Sequence, residues 1–388
     1  MTVKLDTATA RMPVLAAIRR EFGEVAPLNG HRIALCGHVT AETAVQVRTL
    51  LALGAEIVWC ASSTTTTDEE IAAAMRRDGV VVHGKRGMSD ADLARGAHEV
   101  LSVWPEGPTL VLDEGAVLIT ALHRDFAHLP APVLATEKTP DGLAALAGVG
   151  PLRFPVIKSD ESFGKDAVDN PHGTAQSLVE TIATVSARLL AGKVFVVAGH
   201  GRVGSGVAQK ARGLGARVVV TEVSATKALL AVLNGYEVLP MREAARIGDF
   251  FCTVTGKPGV IGRDDLLAMK SGAVLANGGH LPWEIDQEAL SALATGRREL
   301  APGLEELTLS NGNTVELLGG GHIVNLSAGR GNASEVMDVT FASQVLALQL
   351  VLPKAADLAP GLHALPPECD EYVAAALAKA LGIQLDEK

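Results

Sequence analysis

Three glycines, Gly199, Gly201 and Gly204, have the GxGxxG spacing that can hold the pyrophosphate of a dinucleotide. The first permits a tight turn, the second lets a phosphate approach the backbone, and the third lets a helix pack closely on the preceding strand. Arg202 and Val203 complete the turn at the start of that helix, where free N–H groups favour anions. The spacing alone is a weak signal, because 40 glycines produce chance matches.

The residues around this motif strengthen the interpretation. Residues 194–198 form an apolar run, residues 203–214 have a helical pattern, and Glu222 ends the next apolar run. A carboxylate at that position accepts a hydrogen bond from a ribose 2′-hydroxyl and repels a 2′-phosphate. The sequence therefore predicts NAD rather than NADP, although Lys227 and Arg217 add positive charge nearby.

The elements that would position these groups follow a βαβ rhythm. Apolar runs predict strands at residues 32–36, 56–60, 80–82, 109–112, 133–135, 250–255, 273–277 and 314–318, with helices at 41–53, 175–190 and after 334. We predict an α/β fold with two doubly wound parallel-sheet domains, a substrate domain and a Rossmann NAD-binding domain inserted in it. The predicted bounds are 1–172 for the first part of the substrate domain, 173–332 for the NAD-binding domain, 333–354 for a return helix and 355–388 for a tail.

Composition excludes several functional classes. Hydrophobic residues make up 48% of the chain and aromatic residues 3%, which suits parallel sheets built from Val, Leu, Ile and Ala. A net charge of −10 without a basic run argues against nucleic acid. Four cysteines without a CxxC pair argue against a metal site and favour the reducing cytoplasm.

The sequence also argues against a membrane or secretory role. No apolar run approaches the roughly 18 residues that span a bilayer. Met12, Leu15, Ile18 and Phe22 recur at helical spacing near the N-terminus. We therefore predict one ordinary opening helix there rather than a signal peptide.

Four stretches resemble the S-adenosyl-L-homocysteine hydrolase family in order and spacing. They read CGHVTAETAVQVRTLLALGAEIVWCASSTTTTD, FGKDAVDNPHGTAQSLVETI, AGKVFVVAGHGRVGSGVAQKARGLGARVVVTE and GAVLANGGHLPWEID. The resemblance implies an enzyme that uses tightly bound NAD to oxidise a nucleoside 3′-hydroxyl transiently, eliminates a thiol at C5′ and adds water, without net redox. It also implies a small nucleoside thioether substrate and a homodimer or homotetramer.

The resemblance implies catalytic roles for five residues. Lys165 and Asp169 match the family's catalytic pair, and Lys165 is the candidate base at O3′. His38 and His280 match the two histidines around the C5′ leaving group, and each follows an apolar run, where α/β sheets place ligands. Glu114 stands at the second position of the family's aspartate pair, so its carboxylate is one methylene longer.

The resemblance also implies binding residues. Thr40 and Glu42 match contacts to the adenine edge, and Thr40 is also a candidate N-cap. Asn325 matches a residue beside the nicotinamide amide. The other residues matching the cofactor surroundings are Asn170, Thr139, Thr253, Thr255, Gly256 and Asn277.

Departures from the family concentrate on the substrate side. Lys138 stands where the family has a ribose-binding Glu, Asn332 where it has a His near the adenine, and Arg330 where it is apolar. An ammonium only donates hydrogen bonds, so we expect either an anionic substrate near Lys138 or an ion pair with Glu114 or Glu137. The ending GIQLDEK does not show the family's cofactor-covering tail, which predicts weaker NAD retention.

Four functions remain in competition. The first is hydrolysis of S-adenosyl-L-homocysteine or a close relative. The second is the same redox chemistry on an anionic nucleoside with an epimerase or lyase outcome, which Lys138 and Arg330 would suit. The third is a non-catalytic, NAD-binding regulatory paralogue, against which the retained Lys165 and Asp169 argue. A 2-hydroxyacid dehydrogenase shares the fold but does not explain the HVTAET stretch.

Overall fold

The computed structural model describes residues 2–279 and 282–386, and the chain forms two compact units. Unit 1 consists of Met1–Asp169 and Ser334–Lys388, and unit 2 is Asn170–Ala333. The chain passes into unit 2 within a π-helical segment, Gly164–Thr174. Unit 2 is therefore an insertion in the sequence of unit 1.

Unit 1 contains a seven-stranded sheet within the part of the chain that the structure describes. Its strands, numbered in chain order, are β1 (Arg32–Cys36), β2 (Glu56–Cys60), β3 (Val81–His83), β4 (Leu110–Asp113), β5 (Leu134–Glu137), β6 (Pro155–Lys158) and β15 (Gly361–Ala364). They lie in the order β15-β6-β5-β4-β1-β2-β3, and every pairing is parallel. The segment predicted as a tail thus contributes an edge strand.

Helices cover both faces of this sheet. They are α1 (Val3–Ala10), α2 (Pro13–Phe22), α3 (Ala41–Ala52), α4 (Glu69–Arg77), α5 (Asp90–Ser102), α6 (Val117–Arg124), α7 (Pro140–Leu146), α15 (Ser334–Val351), followed by the 3₁₀ turn Leu352–Asp357, and α16 (Pro367–Ala380). Helices α2, α3 and α15 share one buried apolar cluster, and α5 and α6 share another. Two separate cores on two faces are what a doubly wound sheet requires.

The prediction of a single opening helix is wrong. The segment forms α1 and α2, which are separated at Arg11 and Met12. Pro13 occupies the first position of α2, where its missing N–H costs nothing but where it cannot continue a preceding helix. The next two free N–H groups, of Val14 and Leu15, donate to the fully buried Asp338 carboxylate at 2.7 and 2.8 Å.

One segment, Ser334–Asp357, has the length and the apolar composition of a membrane-spanning helix. No such segment was predicted from the sequence. However, 72% of its most apolar window is buried inside the protein. Its apolarity is explained by its position in the core of unit 1, where α15 packs between α2, α3 and α16.

Unit 2 has its own sheet, of eight strands within the described ranges. Its strands are β7 (Val194–Ala198), β8 (Arg217–Thr221), β9 (Glu237–Val238), β10 (Phe250–Thr253), β11 (Ala273–Asn277), β12 (Ala294–Ala301), β13 (Leu304–Leu309) and β14 (Thr314–Leu318). Its helices are α8 (Ala175–Ser186), α9 (Arg202–Gly213), α10 (Ala225–Leu233), α11 (Met241–Ile247), α12 (Arg263–Ala268), α13 (Gln287–Leu293) and α14 (Val324–Ser327), with short 3₁₀ turns at Pro282–Glu284 and Gly319–Gly321.

The order in unit 2 is β12-β13-β14-β11-β10-β7-β8-β9. Most of this sheet is parallel, as predicted, but β12 and β13 run antiparallel to their neighbours. The apolar pattern did not predict this hairpin, because charged and exposed residues fill β12.

Each sheet has a point where its connections change face. In unit 1, β1 lies between β2 and β4, and the helices that follow β1 and β4 pack in different cores. In unit 2, β7 lies between β8 and β10, and α9 and α12 likewise pack in different cores. The loops after β1 and β4, and after β7 and β10, therefore diverge and leave a crevice suited to ligands.

Candidate active site

Three charged or titratable side chains meet at the switch point of unit 1. Glu114 follows β4 and is 6% exposed. Its Oε1 lies 3.2 Å from Nε2 of His38, which follows β1, and its Oε2 lies 3.2 Å from Nζ of Lys138, which follows β5. Ser62 donates to the same Oε2 at 3.4 Å. The structure therefore brings together three residues that lie far apart in the sequence.

Lys138 forms the ion pair that was one of the two sequence alternatives, and its partner is Glu114. The ammonium also lies 4.8 Å from the centre of the Phe341 ring, and the side chain is 10% exposed. A buried ammonium with a carboxylate and an aromatic ring beside it is electrostatically satisfied within unit 1.

Glu137, the other candidate partner, has a different position. Its buried carboxylate accepts hydrogen bonds from the backbone N–H groups of Gly115, Ala116 and Thr139 and from the Thr139 hydroxyl, at 2.7–3.1 Å. Burial raises the pKa of Glu137, although these donors oppose the shift. Glu137 shapes the loop that carries Glu114, and Thr139 is held by Glu137 and caps α7.

Lys165 and Asp169 form a second pair in unit 1. Their Nζ and Oδ2 atoms lie 2.6 Å apart, within the π-helical segment. Asp169 is 1% exposed, and the Thr340 hydroxyl donates to the same oxygen at 3.2 Å. The i, i+4 spacing therefore does bring the two charges into contact, in a π-helix rather than an α-helix.

Thr40 and Glu42 lie at the start of α3. The Thr40 hydroxyl caps the helix by accepting from the Thr43 N–H at 3.4 Å. Glu42 Oε1 accepts from the Ser334 hydroxyl at 2.8 Å. Both residues thus lie beside the loop that carries His38.

The glycine turn of unit 2 has the geometry that phosphate binding needs. Gly199 has a φ of 100°, which favours glycine, and Gly201 precedes α9. A Cβ at Gly204 would overlap the Gly199 carbonyl, whereas a Cβ at Gly201 would have only the Lys227 Nζ nearby, at 3.9 Å. Gly204 is therefore required for packing, and Gly201 leaves space at the helix N-terminus, where Arg202 and Val203 begin the first turn.

Glu222 follows β8 beside this turn. Its carboxylate accepts from the backbone N–H groups of His200, Val223 and Ser224 at 2.8–2.9 Å. Burial alone would raise the pKa of Glu222, but these donors and the nearby Lys227 hold it below its ordinary value. The side chain is therefore an ionised acceptor, as a ribose hydroxyl requires.

A second loop of unit 2 follows β10 and is organised by a residue that sequence analysis missed. Glu284 is fully buried and accepts from the Thr255 N–H and hydroxyl and the Gly256 N–H at 2.8–2.9 Å. Burial raises the pKa of Glu284. The signal was present, because Glu284 lies in the GAVLANGGHLPWEID stretch that resembles the family.

Neighbouring amide side chains hold the strand ends together. The Thr253 hydroxyl donates to Asn277 Oδ1 at 3.1 Å, and Asn277 Nδ2 donates to the Gly321 carbonyl at 3.0 Å. Asn170 is buried at the start of unit 2.

Asn325 and Asn332 form one hydrogen-bonded group with Ser177. Asn332 Oδ1 accepts from the Ser177 hydroxyl at 2.8 Å and from Asn325 Nδ2 at 3.2 Å. Asn325 Nδ2 also donates to the Ser177 hydroxyl at 2.9 Å. Among the described residues, the buried Asn325 Oδ1 has no donor, which suits a carboxamide N–H of a bound nicotinamide. Unit 2 therefore fits NAD.

Three further predictions concern His280, a metal site and Arg330. His280 lies outside the described residues. In the ranges 2–279 and 282–386, no three His, Cys, Asp or Glu side chains are grouped to hold a metal ion. Arg330 is exposed in unit 2.

Comparison with known proteins gives the family of this chain. Residues 170–331 match the family described as S-adenosyl-L-homocysteine hydrolase, NAD binding domain. The chain is 41% identical to an adenosylhomocysteinase of Aquifex aeolicus, with 99% of this chain and 92% of the relative covered. An adenosylhomocysteinase of Pyrobaculum aerophilum is 42% identical with the same coverage.

The chain belongs to the S-adenosyl-L-homocysteine hydrolase family. It is an NAD-dependent enzyme of this hydrolase family that acts on a small molecule. An S-inosyl-L-homocysteine hydrolase of Methanopyrus kandleri is 38% identical, with 99% of this chain and 91% of the relative covered.

The fold is shared more widely. A dipicolinate synthase chain from Bacillus halodurans matches with a TM-score of 0.51 at 16% identity, covering 83% of this chain and 98% of the synthase chain. This likeness shows the α/β fold alone and nothing about cofactor or substrate.

Proposed function

We propose that this member of the family hydrolyses S-adenosyl-L-homocysteine to adenosine and homocysteine. The observation that carries the proposal is the pairing of Lys138 with Glu114. Because a side-chain carboxylate already balances the ammonium, the pocket does not need an anionic substrate. The relatives named adenosylhomocysteinase at 41–42% identity support the same substrate class.

In this proposal, the proton transfers fall to Lys165, His38 and Glu114 of unit 1 and to His280, which belongs to the sequence of unit 2. Lys165 takes the proton of the 3′-hydroxyl, and Asp169, held by the Thr340 hydroxyl, keeps Lys165 in place. His38 and Glu114 exchange protons with the leaving thiol and the incoming water at C5′, together with His280. When bound, NAD supplies reversible hydride transfer at C3′.

The cofactor would be held by unit 2. The turn of Gly199, Gly201 and Gly204 would receive the pyrophosphate, and Glu222 would accept from the adenosine ribose. Asn325 Oδ1 would orient the nicotinamide carboxamide. The loop at Thr255 would line the same site, braced by Glu284.

The base is proposed to be adenine. Glu42 has a carboxylate, which accepts hydrogen bonds and so favours a purine that carries a 6-amino donor. The relative named S-inosyl-L-homocysteine hydrolase shows that hypoxanthine is the alternative to test.

The test compares the two thioethers directly. Protein loaded with NAD is given S-adenosyl- or S-inosyl-L-homocysteine, and free thiol is measured with a thiol reagent. We expect kcat/KM to be at least about 10-fold higher for the adenosyl compound, a difference of one good hydrogen bond. Glu42→Gln should reduce this preference, whereas the exposed Glu288→Gln should not. Faster release from the inosyl compound would contradict the proposal.

A failure of both thioethers is also informative. If neither releases thiol, and adenosine does not reduce bound NAD as followed by NADH absorbance, the regulatory alternative replaces the proposal. If adenosine reduces NAD but no thiol is released, the epimerase or lyase alternative replaces it.

We further propose a cytoplasmic homo-oligomer. The four cysteines are free and buried, which suits a reducing compartment. On α10, Leu229, Leu230, Val232 and Leu233 are each more than half exposed. An apolar surface of this kind supports contact between copies, and analytical ultracentrifugation of Leu230→Asp against wild type would test it.

A further inference from the structure

Lys138 and Glu114 both differ from the family's pattern, and the structure places them in contact. We propose that Lys138 is a positioning residue, which fixes the Glu114 carboxylate against His38 rather than binding substrate itself. The inference rests on the proposed function for its kinetic test only.

The carboxylate of Glu114 is contacted at both of its oxygens. Oε1 lies against His38, while Oε2 lies against Lys138 and the Ser62 hydroxyl. Each oxygen therefore has a defined direction, and a rotation that improved one contact would lengthen the other. A carboxylate held at both oxygens is pre-organised for proton transfer.

Lys138 is itself held in place. Its ammonium lies 4.8 Å from the Phe341 ring centre, and Phe341 is fully buried in α15. The preceding residue, Glu137, is bound by four donors, and Thr139 caps α7. Both the backbone and the charged end of Lys138 are thus constrained. The fixed ammonium in turn holds the Glu114 carboxylate.

The arrangement also selects a tautomer of His38. Nδ1 of His38 lies 2.7 Å from the buried Thr66 hydroxyl. Under this proposal, Nε2 of His38 carries a hydrogen toward the Glu114 carboxylate, and Nδ1 accepts from the Thr66 hydroxyl. Lys138, 3.2 Å from Oε2, holds the carboxylate with its other oxygen, Oε1, toward His38.

Charge accounts for why the two changes occur together. The resemblance implies two carboxylates at positions 114 and 138, whereas this chain has one carboxylate and one ammonium. If only position 138 had changed to Lys, the ammonium would have to pair with an aspartate at position 114, whose side chain is one methylene shorter. The additional methylene of Glu114 lets one carboxylate reach both His38 and Lys138.

A double-mutant cycle tests the inference. The variants are Lys138→Met, Glu114→Gln and the double variant, and kcat and KM are measured for S-adenosyl-L-homocysteine. We expect each single change to lower kcat by about 100-fold with little change in KM, as for loss of a positioned acid or base. The double variant should be no worse than Glu114→Gln alone, because Lys138 acts through Glu114. Multiplied losses, or a rise in KM for Lys138→Met alone, would overturn the inference.

Three measurements distinguish positioning of Glu114 from loss of folding. Lys138→Arg retains the charge and should keep kcat within about fivefold, and thermal unfolding shows whether Lys138→Met folds. The ¹⁵N resonances of His38 report its tautomer without turnover: Nε2 should be protonated in wild type and in Lys138→Arg, and Lys138→Met should shift both resonances. Unchanged resonances in Lys138→Met would contradict the positioning role of Lys138. If wild type releases no thiol, the proposed function fails and the resonances alone decide the inference.

Discussion

Units 1 and 2 use the same construction at the crevice of each sheet, but they fill it with different groups. In unit 1 the loop after β4 is held by the buried Glu137, which comes from the neighbouring strand β5. In unit 2 the loop after β10 is held by the buried Glu284, which follows the neighbouring strand β11. A glycine lies against each of these carboxyl groups, Gly142 against Glu137 and Gly279 against Glu284. A Cβ added at either glycine would overlap the carboxyl.

The difference lies in what each crevice offers to a ligand. Unit 2 offers backbone N–H groups at the start of α9, which bind an anion without any titratable side chain. Unit 1 offers the titratable side chains of His38, Glu114 and Lys138, a group that suits the proton transfers of the proposed function. One scaffold therefore suits both the binding and the chemistry of the proposed function, because a buried glutamate fixes the loop in each unit while the residues that face the two crevices differ.

Two glycines of the unit 2 turn should give the largest contrast. Gly204→Val places a Cβ on the Gly199 carbonyl, so we expect several kcal/mol of destabilisation and loss of the folded unit. Gly201→Val meets open space in the protein, so the chain should fold but bind NAD at least about 100-fold more weakly. Thermal unfolding and NAD titration separate the two effects.

The control is Gly213→Ala in the same helix, since a Cβ there contacts nothing within 4 Å. It should leave both NAD affinity and thermal stability close to wild type. Retention of NAD by Gly201→Val would show that the pyrophosphate does not approach this turn.

Removing the loop braces should destabilise both units comparably. Glu284→Ala leaves three donors without their acceptor, and Glu137→Ala leaves four. Because water can enter and accept from some of these donors, we expect each change to lower the free energy of unfolding by about 3 kcal/mol. Denaturant unfolding measures this loss, with the exposed Glu288→Ala as a control near zero. Clearly different losses of unfolding free energy for the two variants would contradict the view that Glu137 and Glu284 have equivalent roles.

Two carboxylates, Asp338 in unit 1 and Glu222 in unit 2, should respond oppositely to pH. Burial raises the pKa of Asp338 in unit 1 to about 6, although Leu15 and Val14 donate to it. A raised carboxyl pKa favours folding below the unfolded pKa of about 4, and that advantage disappears as pH rises through 6. Asp338 should therefore remove about 2 kcal/mol of unfolding free energy between pH 4 and pH 7.

Glu222 in unit 2 has the opposite sign. Its lowered pKa gives stability that is present above the unfolded pKa and lost as pH falls through the folded pKa. Urea unfolding across pH should show the Asp338 contribution vanish in Asp338→Asn and persist in Glu222→Gln. A pH profile that Asp338→Asn does not change would contradict the assignment.

The smallest expected effect concerns Asn332. Its side chain bonds to Asn325 and Ser177, so Asn332→Ala should loosen Asn325 and weaken NAD binding by about 1 kcal/mol, or roughly fivefold. Ser177→Ala should have a similar effect, because it removes the third member of the group. A rise in the substrate KM with unchanged NAD affinity would instead support the substrate contact expected from the sequence.

Local pattern predicted much of the fold. The strands around both crevices, β1, β4, β7 and β10, are short and buried, so their residues are apolar. This pattern predicted their positions to within about two residues. Strands β6, β9, β12, β13 and β15 were not predicted. The edge strands β12 and β15 are partly exposed and lack the apolar pattern. The break between α1 and α2 was missed although Pro13 signalled it.

The sequence by itself determined the α/β class, the glycine turn with Glu222, and the residue types available for catalysis, because spacing along the chain encodes each of them. Tertiary structure alone decided which charges meet. Lys138 had two candidate carboxylates, Glu114 and Glu137, and nothing in their order along the chain chose between them. The choice came from the pairing of β4 with β5, which turns Glu137 into the loop as an acceptor for backbone N–H groups and leaves Glu114 to face the ammonium. Coulomb attraction acts through space, so only the fold could decide it.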